Sequence, residues 1–469
     1  MSIRTARNTH RLTGKAQAHV RTALLLACLA AALCLLLCSC GSSTQATTAA
    51  LTTSSAPSTQ RTVGGVKSLS AYARVYNSNA MIDTLVVEYG TAVVLPSKPD
   101  QGYSTLYEVK DSTSTYGQRQ VVAVYTNSAP EKRADRTSVE GPYVIIELNA
   151  VGPDASSLEK WSPSTDAGTA VTEKNGVSQV RTDYSGLSVI QCFDAKDAKG
   201  TVERAKGTLP QLQNEDVHWP QLREFAIDQV YSSSAGNLHY SYYVPHDYDP
   251  SQSYPLMVVV PGENAYLVST DRGTDPKSAG VNLVADTQVI AWTTAPEDII
   301  VLAVQPAATD AAAAAQTWEL IDWFRGQYSI DPARIYASGY AGGAQIMSQV
   351  VDAHADVFAA YVNNSGVWSG GLDNAAADGL ALYFYRPLGD ETVDANSFAT
   401  PYLQLRDNYR YAGMTSDQVD ALLVLDQREN AYFDHQGATS YHAGGRMIFN
   451  DAGIVQWVLA QRGGTDGDA

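Results

Sequence analysis

The chain has 469 residues, enough for two or three domains. Its hydrophobic content of 45% is sufficient for sizeable cores. The net charge is −17; the first 40 residues hold five basic side chains (Arg4, Arg7, Arg11, Lys15, Arg21) and no acidic one, so the remainder carries 27 basic against 49 acidic residues, a charge of −22. Such a surface repels phosphate backbones and anionic headgroups, which excludes nucleic acid as a partner.

In chain order, the first feature is a basic stretch followed by the apolar run "ALLLACLAAALCLLLCSCGSS". A short apolar run behind a positive segment reads as a signal peptide over residues 1–40, with an uncleaved signal anchor as the alternative. Its end, "LCSCG", resembles the lipobox of bacterial lipoproteins through Leu37, Ser39 and Cys40, although Cys38 is unusual in the second position. On that resemblance Cys40 becomes the lipidated first residue, and the protein is extracytoplasmic, tethered to the bacterial cell membrane. Residues 41–66, rich in Ser and Thr, cannot form a core and read as a flexible tether. Of five cysteines, Cys28, Cys34 and Cys38 lie in the signal and Cys40 carries the lipid. Cys192 is left alone, which allows no intramolecular disulfide and suggests a small buried apolar residue. No Cys/His cluster has zinc spacing and no Walker loop is present, so no metal or cofactor is implied.

From 67 to 218 the chain reads as strand after strand. "AYARVYNS", "IDTLVVEYG", "QVVAVYTNS", "GPYVIIELNA", "VSQVRTDYS" and "LSVIQCFDA" are short β-prone runs separated by Gly, Pro, Asn, Asp and Ser. Many alternate in polarity, which predicts an Ig-like β-sandwich. It contains no Ser/His/acid cluster and reads as an accessory domain.

From 219 to 462 the pattern changes. "YPLMVVVPG" and "DIIVLAVQP" are continuous apolar runs, as strands buried on both faces require. "AAAAAQTWELIDWFRGQYSI" reads as a helix in which Trp318, Ile321, Phe324 and Tyr328 share a face. "RIYASG" is a strand and "GAQIMSQVVDAH" a helix; "VFAAYVNNSG" and "LALYFYRPLG" are further strands, and "GIVQWVLAQR" is a last helix. Such alternation predicts a doubly wound α/β domain, followed by a disordered tail over 463–469.

A strand, a tight glycine turn and a helix form the context of a nucleophile elbow, G-x-S-x-G. "GYAGG" places Gly339 and Gly343 at the two glycine positions. The turn is cramped and the helix packs close behind it, so both must lack a side chain. The residue between them should be a serine, whose hydroxyl carries the acyl group. Here it is Ala341.

From about residue 70 onward the chain resembles the secreted esterases with an Ig-like N-terminal domain, relatives of the polyhydroxybutyrate-depolymerase and feruloyl-esterase type of α/β-hydrolase. "GPYVIIELNA", "LHYSYYVPHDYDPSQSYPLMVVVPG", "IDWFRGQYSIDPARIYASGYAGG", "DVFAAYVNNSG" and "GIVQWVLAQ" carry the likeness. The resemblance implies a serine–histidine–acid triad. It puts the nucleophile on Ala341, the acid on Asp390 of "PLGDETVD" with Glu391 as the alternative, and the base on His442 of "SYHAGGRM" with His435 as the competitor. It puts the oxyanion-binding N–H groups near Glu263 and at Gly342. The family has His-Gly after the first strand of the hydrolase domain, where this chain has Pro261, Gly262 and Glu263; a carboxylate there opposes stabilisation of an oxyanion.

Other residues are weaker nucleophile candidates. Ser338 lies on the strand side of the turn and reads as a strand-end serine satisfied by backbone. Tyr340 is bulky and has a high ordinary pKa. Ser365 resembles a residue near the pocket, and Trp292, Trp318 and Trp368 read as core. The expectation is therefore a surface-anchored, esterase-like protein without serine catalysis, holding a small ester-like or carbohydrate-linked ligand. One alternative is an active carboxylic ester hydrolase or peptidase-like hydrolase with a non-standard nucleophile or a general-base water. A spacer with no cleft around Ala341, Asp390 and His442 is a third.

Overall fold

A computed structural model describes residues 65–463, apart from 77–78, 97–101, 113–116, 150–168, 175–176, 183–185, 214–215, 234, 263–282 and 435–439. Cys40 with the signal and tether, Glu263, His435 and residues 464–469 lie outside the described residues.

The first domain is an Ig-like sandwich. One sheet runs in the order Val217–His218, Val66–Tyr76, Asn79–Tyr89, Tyr143–Leu148, Val121–Asn127; the other runs Gly207–Thr208, Leu187–Gln191, Tyr107–Asp111, Gln118–Arg119. Alternation along Val66–Tyr76 sends Leu69, Ala71 and Ala73 inward into one core with Val109 and Val189 of the facing sheet. Buried polar tips are paired across the sandwich. Tyr89 Oη lies 2.8 Å from Tyr107 Oη and donates to Gln191 Oε1 at 2.6 Å.

The second domain is an α/β-hydrolase fold built on an eight-stranded sheet. Its strands are β1 (Phe225–Ser233), β2 (Gly236–Tyr243), β3 (Tyr254–Val260), β4 (Ile300–Gln305), β5 (Ile330–Tyr340), β6 (Ala360–Asn364), β7 (Ala381–Pro387) and β8 (Leu423–Arg428). Their order is β1-β2-β4-β3-β5-β6-β7-β8. β2 runs antiparallel to β1 and β4, and the other neighbours are parallel. β3, β4 and β7 are buried throughout, which is why their sequences are mainly apolar, broken only by Gln305 and Arg386 near the strand ends. Helices α1 (Ala311–Phe324) and α2 (Gly342–Ala353) cover one face, where Phe324 meets Tyr242 of β2. Helix α3 (Ala395–Tyr411) follows β7. Helix α4 (Ala452–Ala460) covers the other face, where Tyr336 of β5 donates to the Leu459 carbonyl.

The structure corrects several sequence expectations. The β1–β2 hairpin, with a bulge that puts Asp228 at φ 55°, adds two strands that no clean apolar run announces, because they are only half-buried. Tyr328 does not share a helical face, because α1 ends at Phe324 and Tyr328 lies in the turn beyond. Trp318 is not core; it stacks on His354 at 3.6 Å, half-buried, whereas Trp292 and Trp368 are core. Cys192 is exposed, since it follows the last inward residue of its strand, Gln191. Gly463, placed in the tail by sequence, is tied down by its N–H to the Ala333 carbonyl.

Candidate active site

The elbow is present in full geometry. β5 ends at Tyr340 and α2 begins at Gly342, with Ala341 between them at φ 51°, ψ −116°. An L-residue rarely adopts that backbone, so the turn is strained, as a strand-to-helix elbow requires. The glycines explain how the turn fits. A methyl on Gly339 would sit 2.6 Å from Ala344 Cα, and one on Gly343 would sit 1.9 Å from the Val260 carbonyl oxygen. Backbone bonds pin the apex: Ala341 N–H donates to the Asn364 carbonyl, and the Ala341 carbonyl accepts from Ala344 N–H, both at 3.1 Å.

Asp390 and His442 meet beside this turn. Asp390 follows β7 and its side chain is fully buried; His442 lies in the helical turn Tyr441–Gly444 and keeps 15% exposure. His442 Nδ1 is 3.0 Å from both Asp390 oxygens. Asp390 Oδ1 also accepts from the Thr392 and Val393 N–H groups at 2.9 Å. Burial pushes the Asp390 carboxyl up, but the bonds from His442, Val393 and Thr392 outweigh it and hold the group below its ordinary value. Glu391, the alternative acid, accepts from the His442 backbone N–H at 3.3 Å, and among the described residues no bond joins it to the His442 ring. The ring of His442 is therefore oriented by Asp390.

Tyr340 is a contributor that motif reading missed. Its ring stacks on the His442 ring with centroids 5.0 Å apart, and its hydroxyl donates to the His442 carbonyl at 3.0 Å. Burial raises its hydroxyl well above the ordinary tyrosine value, so it is a neutral donor and not an attacking phenolate. Ser338 is buried on the strand, and its Oγ has no hydrogen-bond partner among the described residues, contrary to the expected backbone satisfaction. Ser365 is also fully buried, at φ 46°. Neither serine reaches the cleft.

Ala341, Gly342 and His442 line one cavity of about 530 Å³ together with Gly262, Gln345, Thr309 and Arg446. The Arg446 guanidinium is bound to buried Asp286, Nε at 2.8 Å and Nη2 at 2.6 Å from Oδ2. Gly342 is the first residue of α2, so its N–H has no acceptor inside its own helix and suits an oxyanion. No group of three or more metal-ligating side chains occurs among the described residues. The spacer reading expects no cleft here, yet a cleft is formed at Ala341 and His442, with buried Asp390 bonded to His442 behind its wall.

Comparisons with known proteins agree with this architecture. The family described as "Esterase Ig-like N-terminal domain" matches residues 68–204. A thermostable esterase of known structure is 17% identical, with a TM-score of 0.61 over 85% of this chain and 100% of that one. A serine hydrolase without a lid from Xanthomonas campestris is 14% identical, with a TM-score of 0.33 over 54% of this chain and 96% of its own. A ferulic acid esterase of Anaeromyces mucronatus is 13% identical, with a TM-score of 0.30 over 48% and 88%. No curated protein matches the chain. The chain has an α/β-hydrolase fold like that of the thermostable esterase, preceded by a domain that matches the esterase Ig-like N-terminal family.

Proposed function

We propose that this protein keeps the frame of an esterase but holds a ligand in its cleft without forming a seryl acyl-enzyme. The observation that carries the reading is Ala341 at the elbow apex, with the strained backbone retained and no oxygen to present. Covalent ester hydrolysis on this frame needs a nucleophile at that apex. The lipobox-like "LCSCG" supports a lipid on Cys40 and a place on the outer face of the bacterial membrane. Among the described residues no helix is long and apolar enough to cross a membrane. The ligand is a small ester-like or carbohydrate-linked molecule.

The test is p-nitrophenyl acetate turnover by purified protein and by Ala341→Ser. Wild type should stay at background, and the serine variant should gain on the order of 10³-fold. Robust wild-type turnover that disappears in His442→Ala would sink the proposal. That result would support a second reading, in which His442 acts as general base on water; the intact contact between His442 and Asp390 is what favours it.

A further inference from the structure

The retained dyad and the missing oxygen leave a specific mismatch in the cleft. His442 is held at three points by the protein: its ring Nδ1 by Asp390, its backbone N–H by Glu391 and its carbonyl by Tyr340. With Nδ1 facing a carboxylate, the neutral imidazole carries its proton on Nδ1 and leaves Nε2 as an acceptor. No described residue donates to Nε2. On this frame the donor would be the elbow serine, and Ala341 offers only a methyl group. Next to it the Gly342 N–H is a donor at the start of α2.

We propose that the cleft takes a neutral, hydroxyl-bearing ligand, an alcohol, whose O–H donates to His442 Nε2 in the place of the seryl hydroxyl. Gly342 and His442 line the same cavity, and a hydroxyl can donate and accept at once, so the same oxygen accepts from the Gly342 N–H in this proposal. The carbon chain lies against the apolar part of the wall, formed by Ala341, Val367, Val393 and Ala443. A carboxylate fits less well. It offers no proton to Nε2, so His442 would have to take one up, and the one arginine among the cavity's lining residues is already engaged by Asp286. This inference rests on the proposed loss of serine catalysis, because a serine at 341 would fill the acceptor itself.

The test is titration of the full chain with 1-butanol and, separately, sodium butyrate, read from the imidazole nitrogen resonances of isotope-labelled protein. His442→Gln identifies the His442 signals, and calorimetry in buffers of different ionisation enthalpy measures proton uptake. Butanol is expected to move the Nε2 signal with a Kd of about millimolar, as a ligand with so few atoms allows, and without proton uptake. In Ala341→Ser the response should fall at least about tenfold, because the chain's own hydroxyl competes. Absence of a wild-type response, an equal response in Ala341→Ser, or preferential butyrate binding with proton uptake each overturns the proposal. Turnover of p-nitrophenyl acetate by Ala341→Ser separates the two failures. An active serine variant with a butanol-blind wild type leaves the elbow assignment standing and removes only the alcohol. An inert serine variant removes both.

Discussion

At the scale of single residues, Ala341 carries a cost without its usual return. A non-glycine residue at φ 51°, ψ −116° costs about 1–3 kcal/mol of backbone strain. Glycine adopts that conformation freely but adds about 0.4–1 kcal/mol of unfolded-chain entropy. The Ala341 methyl faces a cleft, so its loss removes little packing. Ala341→Gly is therefore expected to stabilise the protein by about 1 kcal/mol, seen as a higher urea midpoint at unchanged slope. A lower midpoint would mean that the strain is relieved by contacts of the methyl itself. Asp390 makes the complementary prediction. Its folded pKa lies below the unfolded one, so its stabilisation is present above the usual carboxylate range of about 4 and is lost as pH falls through the folded value. Asp390→Asn should cost about 1–3 kcal/mol near neutrality and flatten the stability curve below about pH 4. Both stability measurements are independent of any activity.

At the scale of elements, the elbow was legible in the sequence because its constraints are local. Gly339 and Gly343 are glycines for steric reasons that a strand–turn–helix pattern reveals. Gly343→Ala would drive a methyl into the Val260 carbonyl, backbone that cannot yield, and should cost about 3 kcal/mol in a denaturation curve. Asp390 and His442 were legible only through likeness to a family, since they lie 52 positions apart and no periodicity joins them. Tyr340 was not legible at all as a partner of His442. Its contact spans 102 positions and depends on which face of β5 it leaves. Removing that hydroxyl tests what it does. Tyr340→Phe should cost about 1 kcal/mol and loosen the Tyr441–Gly444 turn. The Ala443 and Gly444 amides, bonded to the Ser440 Oγ and carbonyl, should then exchange hydrogen faster while those of β3 and β4 stay protected. Unchanged exchange would show that the turn is held by the Asp390 contact alone.

At the scale of the whole molecule, the change from strand after strand to alternating strands and helices marks two domains, but their coupling is a property of a few side chains at the joint. Val75 lies on an Ig-like strand, yet its side chain belongs to the core of the hydrolase domain, and its N–H donates to Gln221 Oε1 at 2.7 Å. Trp219, half-buried, packs against the cores of both domains. Flexible linkers with few crossing contacts let domains unfold separately. Here the connection between Val217–His218 and β1 is itself packed, so the Ig-like domain is expected to unfold together with the hydrolase domain in one calorimetric transition. Trp219→Ala removes a ring shared by both cores and should cost about 3 kcal/mol. Because it weakens the joint more than either core, it should split the transition in two, the Ig-like domain melting first for want of the larger core. Gln221→Ala, which leaves the Val75 N–H without its acceptor, should lower the same transition by about 1 kcal/mol without splitting it. Two transitions already present in the wild type would refute the coupling and make the Ig-like domain an independent module on the same chain.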